Sequence, residues 1–220
     1  MVYCWGVVED IVYIIAAYLI GSVPCGYLAG RLKGVDLREH GSHNIGATNA
    51  VRVLGKRWGI PVFVCDFLKG FLPLWWYKAH LGGDVTAMSE AQMGWLLGVM
   101  ISLVLGHTYT CFLHFRGGKG VATMAGCLTA FLPVVAGVAV AVFVVTAAIW
   151  RYISLASLLA GVAMVAAAVP VMMRDGQATP AEWMAMGALV LILALVTYKH
   201  RANIGRICRG VEPKIFSKKK

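Results

Sequence analysis

The feature that most constrains this sequence is a series of long apolar runs separated by short basic segments. Hydrophobic residues make up 60% of the 220 residues and charged residues only 14%, well below the roughly one quarter usual in soluble domains. A helix needs about 20 mainly apolar residues to cross a bilayer, and five runs meet that length. They are Asp10–Gly30, Gly59–Lys78, Gln92–Leu113, Ile153–Met173 and Glu182–Tyr198. The sequence therefore predicts an all-α integral membrane protein.

A sixth apolar stretch, Val121–Trp150, is too long for one ordinary span. Pro133 divides it, because proline removes a backbone donor and disrupts a helix. If the stretch crosses twice, the chain has seven transmembrane helices, and the piece at about 121–131 is a short span of about 16 Å or a partly re-entrant one. We expect these helices to form a single polytopic domain over residues 1–220.

The placement of the basic residues decides the topology. Six Lys and Arg lie between positions 31 and 57, two are Arg116 and Lys119, and eight lie between 199 and 220. The positive-inside rule puts all three clusters on the cytoplasmic side. Seven spans satisfy every cluster, with the N-terminus and the Arg174–Asp175 loop outside and the C-terminus inside. Lys218–Lys220 could then touch anionic lipid headgroups.

The stretch Gly41–Arg52, which reads GSHNIGATNAVR, carries an unusual density of anion donors. Glycine allows close backbone approach to a phosphate, Ser and Thr add hydroxyl donors, and Arg offers a fixed fork. A plain solvated loop is the alternative. The stretch contains neither a Walker A motif nor a dinucleotide fingerprint, so nucleotide binding is disfavoured.

A second glycine-rich stretch, Gly117–Gly120, leads from Arg116 into an apolar helix. Backbone donors, the positive end of a helix dipole and Lys119 would then point at one place. Ordinary interfacial anchoring by His107, His114 and Arg116 is the alternative.

Asp66 and Lys69 lie inside a predicted span, three residues apart and so on one helix face. We expect an internal salt bridge there, with a catalytic use as the alternative. The six cysteines show neither disulfide nor zinc-ligand spacing, and no metal site is expected.

The polar sets all lie on the predicted cytoplasmic side, beside apolar helices. A site that holds phosphate next to an apolar bundle suits a substrate with an anionic head and a hydrocarbon tail. The residues by themselves therefore indicate a reaction on a lipid, and they do not identify a narrower class of substrate or reaction.

Seven motifs resemble those of the PlsY family of acyl-phosphate:glycerol-3-phosphate acyltransferases, over about Ile11 to Glu212. They are Gly-Ser-x-Pro at 21–24, Gly-Val-Asp-Leu-Arg at 34–38, Gly-Ser-His-Asn-Ile-Gly-Ala-Thr-Asn at 41–49, Gly-His at 106–107, Gly-Gly-Lys-Gly-Val-Ala-Thr at 117–123, Ser-Leu-Ala-Ser at 154–157 and His-Arg-x-Asn-Ile at 200–204. The glycine-rich loop and the Gly-Gly-Lys-Gly motif are highly specific.

The resemblance implies a seven-span enzyme of the bacterial cytoplasmic (inner) membrane, with its active site on the cytoplasmic face. It would transfer a fatty acyl group from acyl phosphate to the 1-hydroxyl of glycerol 3-phosphate, giving lysophosphatidate and inorganic phosphate in the first acylation step of phospholipid synthesis. No cofactor and no covalent acyl-enzyme are expected. Beyond the two substrates, the expected partners are membrane lipid and a functional link to the enzyme that makes acyl phosphate, with no nucleic acid.

On this resemblance we assign catalytic roles to four residues, and among these His107 would orient a substrate or the Lys119 loop. The four are Ser42, Arg52, Lys119 and His107. The expected phosphate-binding residues are Gly41, Asn44, Gly46, Thr48, Asn49, Gly117, Gly118, His200 and Asn203. Backbone N–H groups of both glycine-rich loops are expected to contribute.

Two positions depart from the family pattern. His43 stands where the family usually has glycine, which raises the question of a changed loop conformation or an added pH-sensitive group. Thr110 stands where a proline commonly follows Gly-His-x-Tyr, so the end of the third span is less well defined.

Two other classes remain open on the residues alone. A transporter for a phosphorylated metabolite also places basic groups beside broken helices, but it needs polar residues along a path to the outer face, and the spans around 128–145 and 155–173 offer very few. A structural membrane subunit would leave the 41–52 stretch without a purpose.

Overall fold

The computed structural model describes residues 2–172 and 178–215. In these ranges the chain forms ten α-helices and one 3₁₀ turn, and no strand occurs. Two compact units follow one another along the chain, Met1–Phe131 and Leu132–Lys220, and each is described by itself. The predicted all-helical class is confirmed, whereas the single domain over residues 1–220 stays a prediction.

The first unit contains six helices and the 3₁₀ turn. They are α1 (Val2–Ser22), α2 (Cys25–Leu32), α3 (Ala47–Leu54), α4 (Lys56–His80), α5 (Glu90–Thr108), the turn (Cys111–Leu113) and α6 (Val121–Phe131). The predicted first span is thus two helices, because Pro24 interrupts the backbone hydrogen bonding between α1 and α2.

The second unit contains the remaining four helices. They are α7 (Pro133–Trp150), α8 (Ile153–Met172), α9 (Pro180–Lys199) and α10 (Arg201–Cys208). The predicted division before Pro133 is confirmed, since α6 ends at Phe131 and Pro133 takes the first position of α7, where its missing N–H costs nothing. The predicted outer loop at Arg174–Asp175 and the terminal Lys218–Lys220 lie outside the described residues.

Six stretches of the described chain are long and apolar enough to cross a membrane. They are Gly6–Leu32, Lys56–His80, Glu90–Leu113, Pro133–Trp150, Ile153–Met172 and Pro180–Lys199. The helix α6, with 11 residues, spans only about 16 Å. Its crossing of the bilayer, which would make seven spans, and the orientation of both termini stay predictions.

Two helices begin two residues earlier than the apolar pattern predicts. The α5 helix is preceded by Ser89, whose hydroxyl accepts from Gln92 N–H while the Gln92 side chain accepts from Ser89 N–H. Thr179 and Glu182 form the same reciprocal pair before α9. Such capping boxes satisfy backbone donors at a helix start, so polar residues extend each helix beyond its apolar run.

Glycines bring two pairs of helices in the first unit into close contact. At each glycine, an added Cβ would overlap a backbone oxygen of the facing helix, so only glycine permits these crossings. The residues are Gly70 and Gly126 where α4 crosses α6, and Gly21 and Gly106 where α1 crosses α5. Because α6 begins directly after Gly120, its crossing with α4 sets where the second glycine-rich loop lies.

Candidate functional site

The first glycine-rich stretch is a turn followed by a helix. Residues 41–46 form the turn, Gly46 precedes α3, and Arg52 lies in the last turn of α3. Ser42, Thr48 and Arg52 are exposed. The sequence pattern missed α3, because eight residues between two breaking glycines are too few to give a clear periodic signal.

Asn49 holds this turn together from the inside. Its side chain is buried, and its Nδ2 donates to the carbonyl oxygens of Leu37 at 3.1 Å, His40 at 3.0 Å and Asn44 at 2.8 Å. Its Oδ1 accepts from Ser42 N–H at 2.8 Å. With both amide atoms used, Asn49 supports the loop, which is a different role from the phosphate contact expected from sequence.

His43 occupies the left-handed region, with φ of 58°. That conformation costs a residue with a Cβ about 1 kcal/mol, whereas glycine adopts it freely. The ring nitrogen Nδ1 lies 3.0 Å from the Arg38 carbonyl oxygen, to which it donates. His43 thus adopts a backbone conformation that glycine favours and is strained by it. The hydrogen bond from Nδ1 to Arg38 O offsets part of that strain.

The second glycine-rich stretch packs against the end of α5. Gly117 N–H donates to Thr108 O at 3.2 Å and Gly118 N–H donates to His107 O at 3.0 Å. After Gly120 the chain enters α6, whose first helical bond joins Met124 N to Gly120 O at 2.7 Å. Lys119 is half-buried between these contacts.

These hydrogen bonds correct one expectation about the phosphate site. Each backbone N–H is a single donor, and those of Ser42, Gly46, Gly117 and Gly118 are already used within the chain. They are therefore not available to a phosphate in the way that the sequence-based hypothesis requires. The phosphate site stays a prediction, and it would depend mainly on side chains, since Gly46, Gly117 and Gly118 serve close packing and turn geometry.

A cleft of about 350 Å³ brings the two glycine-rich stretches together. His43 and Ile45 line it from the first stretch and Gly117 from the second, and Arg38, Glu39 and Arg116 complete its wall. Its lining offers the guanidinium groups of Arg38 and Arg116 and the His43 imidazole as donors to an anion. Glu39 adds a carboxylate to the wall, and Arg38 is itself paired with Asp36.

Arg38 is held in place by two neighbours. It makes a forked ion pair with Asp36, with Nη2–Oδ2 at 2.6 Å and Nε–Oδ1 at 3.0 Å, and its guanidinium lies 4.8 Å from the Tyr27 ring centroid. The hydrogen bonds from Arg38 lower the pKa of Asp36 to about 2. Sequence analysis gave Arg38 no role, although it ends the Gly-Val-Asp-Leu-Arg motif.

His107, expected to orient a substrate or the Lys119 loop, is buried against that loop. Its Nδ1 lies 3.5 Å from Asp66 Oδ1, and an added Cβ on Gly118 would overlap its Nε2. Asp66 also pairs with Lys69 at 2.7 Å, so the predicted internal salt bridge is confirmed. The burial of His107 at 5% exposure favours the orienting role.

Two side chains, Lys69 and Thr110, connect the break at Pro24 with Asp66 and with the end of α5. Lys69 Nζ donates to Val23 O at 2.7 Å, and Thr110 Oγ1 donates to Ser22 O at 2.6 Å. The Thr110 hydroxyl also accepts from Phe112 N–H, which caps the 3₁₀ turn. Thr110, the second departure from the family pattern, thus uses its hydroxyl to satisfy a carbonyl that the break exposes.

In the second unit, a buried carboxylate organises the His-Arg-x-Asn-Ile motif. Glu212 Oε1 accepts from Ser154 Oγ at 2.7 Å and Asn203 Nδ2 at 2.6 Å, and Oε2 accepts from Arg206 Nε at 2.6 Å. Burial alone would raise the pKa of Glu212, but these hydrogen bonds hold it below its ordinary value. Ser154, the first residue of the Ser-Leu-Ala-Ser motif, is thus part of this network.

His200, at the junction of α9 and α10, is buried, and its Nδ1 donates to Val196 O at 2.8 Å. Sequence analysis missed Glu212, although it is the single acidic residue among eight basic ones between 199 and 220.

Across residues 2–172 and 178–215, no three His, Cys, Asp or Glu side chains are grouped as a metal ion would need.

Comparison with known proteins gives one consistent family. A sequence profile described as "Glycerol-3-phosphate acyltransferase" matches residues 11–210. A protein of that name from Geotalea daltonii is 42% identical over 204 residues, covering 93% of this chain and 96% of its own length. One from Trichlorobacter lovleyi is 41% identical, covering 92% of this chain and 95% of its own length.

Two crystal structures share the fold. Both are of PlsY (YgiH), an integral membrane glycerol 3-phosphate acyltransferase. The glycerol 3-phosphate form has a TM-score of 0.81 at 37% identity and covers 94% of this chain and 96% of its own. The lysophosphatidic acid form has a TM-score of 0.78 at 36% identity, with 94% and 95% covered.

Proposed function

Because the chain belongs to the glycerol-3-phosphate acyltransferase family, we propose that it transfers a fatty acyl group from acyl phosphate to the 1-hydroxyl of sn-glycerol 3-phosphate. The products are lysophosphatidate and inorganic phosphate, in the first acylation step of phospholipid synthesis. The observation that carries the proposal is the cleft where Arg38, His43 and Arg116 meet Gly117. Support comes from the relatives crystallised in glycerol 3-phosphate and lysophosphatidic acid forms.

Acyl phosphate as donor fits the side chains present. It is a mixed anhydride with a good leaving group, so positioning and charge stabilisation can carry the catalysis. The 1-hydroxyl of glycerol 3-phosphate attacks the acyl carbonyl, a carbon–oxygen ester bond forms, and the bond from the acyl carbon to the phosphate oxygen breaks. The departing phosphate takes the hydroxyl proton, so neither a covalent acyl-enzyme nor a protein base is required.

Three side chains of the first unit are assigned to the phosphates on the family motifs, and none of the three is among the residues that line the cleft. Arg52 supplies a planar fork, Lys119 a compact ammonium and Ser42 a hydroxyl donor, and all three are exposed or half-buried. Neutralising the phosphates lowers the repulsion between two anionic substrates. For His200 and Asn203 the assignment rests on the family motif alone.

The site is proposed to face the cytoplasm of a bacterial cell, across the inner membrane. Arg38, Arg52, Arg116 and Lys119 all belong to basic clusters that the positive-inside rule retains there. Glycerol 3-phosphate, a soluble anion, would enter from that side, while the acyl chain stays in the bilayer. A functional link to the enzyme that makes acyl phosphate belongs to the same proposal.

The decisive experiment incubates the purified protein in detergent or nanodiscs with acyl phosphate and glycerol 3-phosphate, with no acyl thioester present. We expect lysophosphatidate and phosphate in equal amounts, and no product when an acyl thioester replaces acyl phosphate. Arg52→Ala and Lys119→Ala should each lose at least about a hundredfold in turnover. Product formation from the thioester alone would overturn the donor assignment, and near wild-type turnover of a folded variant would remove that residue from the mechanism.

A further inference from the structure

The ion pair of Asp66 and Lys69 takes no part in the chemistry proposed above. Both residues lie within α4, and their side chains are 3% and 7% exposed. Charges in a membrane span are costly, and a buried ion pair is seldom more stable than a well-packed apolar pair of similar size. The pair therefore calls for a purpose other than stability.

Both members of the pair contact other elements of the first unit. Lys69 donates to Val23 O at the break between α1 and α2, at 2.7 Å. Asp66 Oδ1 lies 3.5 Å from Nδ1 of His107, at the end of α5. The pair thus fixes two positions at which a helix ends or is interrupted, and His107 is one of them.

The imidazole of His107 passes this constraint to the second glycine-rich loop. Nδ1 faces Asp66, and Nε2 lies so close to Gly118 that an added Cβ there would overlap it. The carbonyl of His107 accepts from Gly118 N–H at 3.0 Å. Both the ring and the backbone of His107 therefore contact the residue that precedes Lys119.

We infer that Asp66 and Lys69 are positioning residues for Lys119, acting through His107 and Gly118. The Asp66 carboxylate lies 3.5 Å from Nδ1, and its charge attracts the Nδ1–H side of the ring and so holds the ring in one orientation. The ring then sets the position of Gly118, and Gly118 sets the direction in which Lys119 leaves the loop. This inference rests on the proposed function of Lys119 in holding a substrate phosphate. An apolar pair could fill the same volume, but it would leave the imidazole free to rotate.

Kinetics on the full-length protein in nanodiscs test the inference. The Asp66→Asn variant keeps the shape of the side chain and removes its charge. We expect it to raise the KM of the same substrate whose KM rises in Lys119→Gln, by about tenfold, and to leave the KM of the other substrate within about twofold. A purely structural role would lower the amount of active enzyme and leave both KM values unchanged.

The matched control is Tyr77→Phe. Tyr77 is also a buried residue of α4, and its hydroxyl donates to Asp10 Oδ1 at 2.5 Å, so the variant removes a buried polar contact of the same helix away from the loop. We expect lower thermal stability with both KM values as in the wild type. If Asp66→Asn behaves like Tyr77→Phe, the inference is overturned.

A second readout does not depend on activity. Hydrogen–deuterium exchange at the amides of Gly117 and Gly118 should be about tenfold faster in Asp66→Asn than in the wild type, and unchanged in Tyr77→Phe. If the wild type makes no lysophosphatidate but exchange responds as expected, the proposed function fails and the positioning of the loop stands. If transfer proceeds and exchange at both amides is unaffected, the positioning inference fails.

Asp66→Asn leaves Lys69 as a buried charge and can reduce folding. The double variant Asp66→Asn, Lys69→Met removes both charges and so avoids an unpaired ion. It should fold to the wild-type yield yet show the same rise in KM and the same faster exchange. A well-folded double variant with wild-type KM values and exchange would contradict the inference as clearly as the single variant.

Discussion

The two glycine-rich loops of the first unit are held in opposite ways. The 41–46 turn is held from within by the neutral amide of Asn49, whose partners all lie within 12 residues of it. The Gly117–Gly120 loop is supported by the charged pair Asp66 and Lys69 of α4, which contacts His107, and by backbone hydrogen bonds to the end of α5. The first loop can therefore form locally, whereas the second depends on the packing of the helices beneath it.

Of the changes compared below, replacing Lys69, the cation that pairs with Asp66, should have the largest effect on stability. In Lys69→Met the buried carboxylate of Asp66 loses its ammonium partner, and breaking such a pair costs about 3 kcal/mol or more. We expect a clear fall in the melting temperature in detergent. The double variant Asp66→Asn, Lys69→Met should recover most of it, and equal losses in both variants would show that packing volume, not charge, is what Lys69 contributes.

Asn49→Asp should have the next largest effect. The substitution is isosteric, but it replaces the donor that serves three carbonyls by an acceptor, at a cost of about 2 to 3 kcal/mol. Thermal unfolding measures this loss. Asn44→Asp is the matched control, because the Asn44 side chain accepts from Gly46 N–H at 2.9 Å and a carboxylate oxygen can do the same. Equal destabilisation by both variants would contradict the structural role given to Asn49.

The second unit adds a third kind of support, the buried carboxylate of Glu212, whose partner Arg206 has a side chain that is 31% exposed. The pKa of Glu212 is lower in the folded protein than in the unfolded chain. Its contribution is therefore complete above the unfolded value, near 4.5, and is lost as the pH falls through the lower folded value.

We therefore expect the melting temperature to fall as the pH drops below about 4.5, within a window that Glu212 shares with other carboxylates. Glu212→Gln should be less stable than the wild type at pH 6 and should lose less on acidification. A parallel pH profile in the two proteins would count against this role of Glu212.

The smallest effect is expected at His43. His43→Gly removes the strain at φ of 58° and should stabilise the first loop by up to about 1 kcal/mol, less the hydrogen bond from Nδ1 to Arg38 O. His43→Ala retains the strain and loses the hydrogen bond, so it should be less stable than both. The order Gly, His, Ala in thermal unfolding checks this account, and an alanine variant more stable than the wild type would refute it.

The sequence alone predicted the features that depend on the length of an apolar run or on residues that are close together in the chain. The apolar runs marked the long helices, Pro133 marked a helix boundary, and the spacing of Asp66 and Lys69 predicted their ion pair. The internal use of the Gly117 and Gly118 amides could not be predicted, because it depends on where the end of α5 packs. The same holds for Asn49, whose buried position is set by a short helix with little periodic pattern, and for Glu212, whose partner Ser154 lies 58 residues away.

The helix α6 has only 11 residues, and its length has a consequence for the loop at its start. A helix of about 16 Å covers little more than half of a hydrocarbon layer of about 30 Å. No residue of α6 is exposed, so protein rather than lipid covers its sides, and at the Lys119 end the missing length leaves room for water at the depth of the acyl chains. A water-soluble acceptor and a lipid-dissolved donor could then meet without either leaving its own phase.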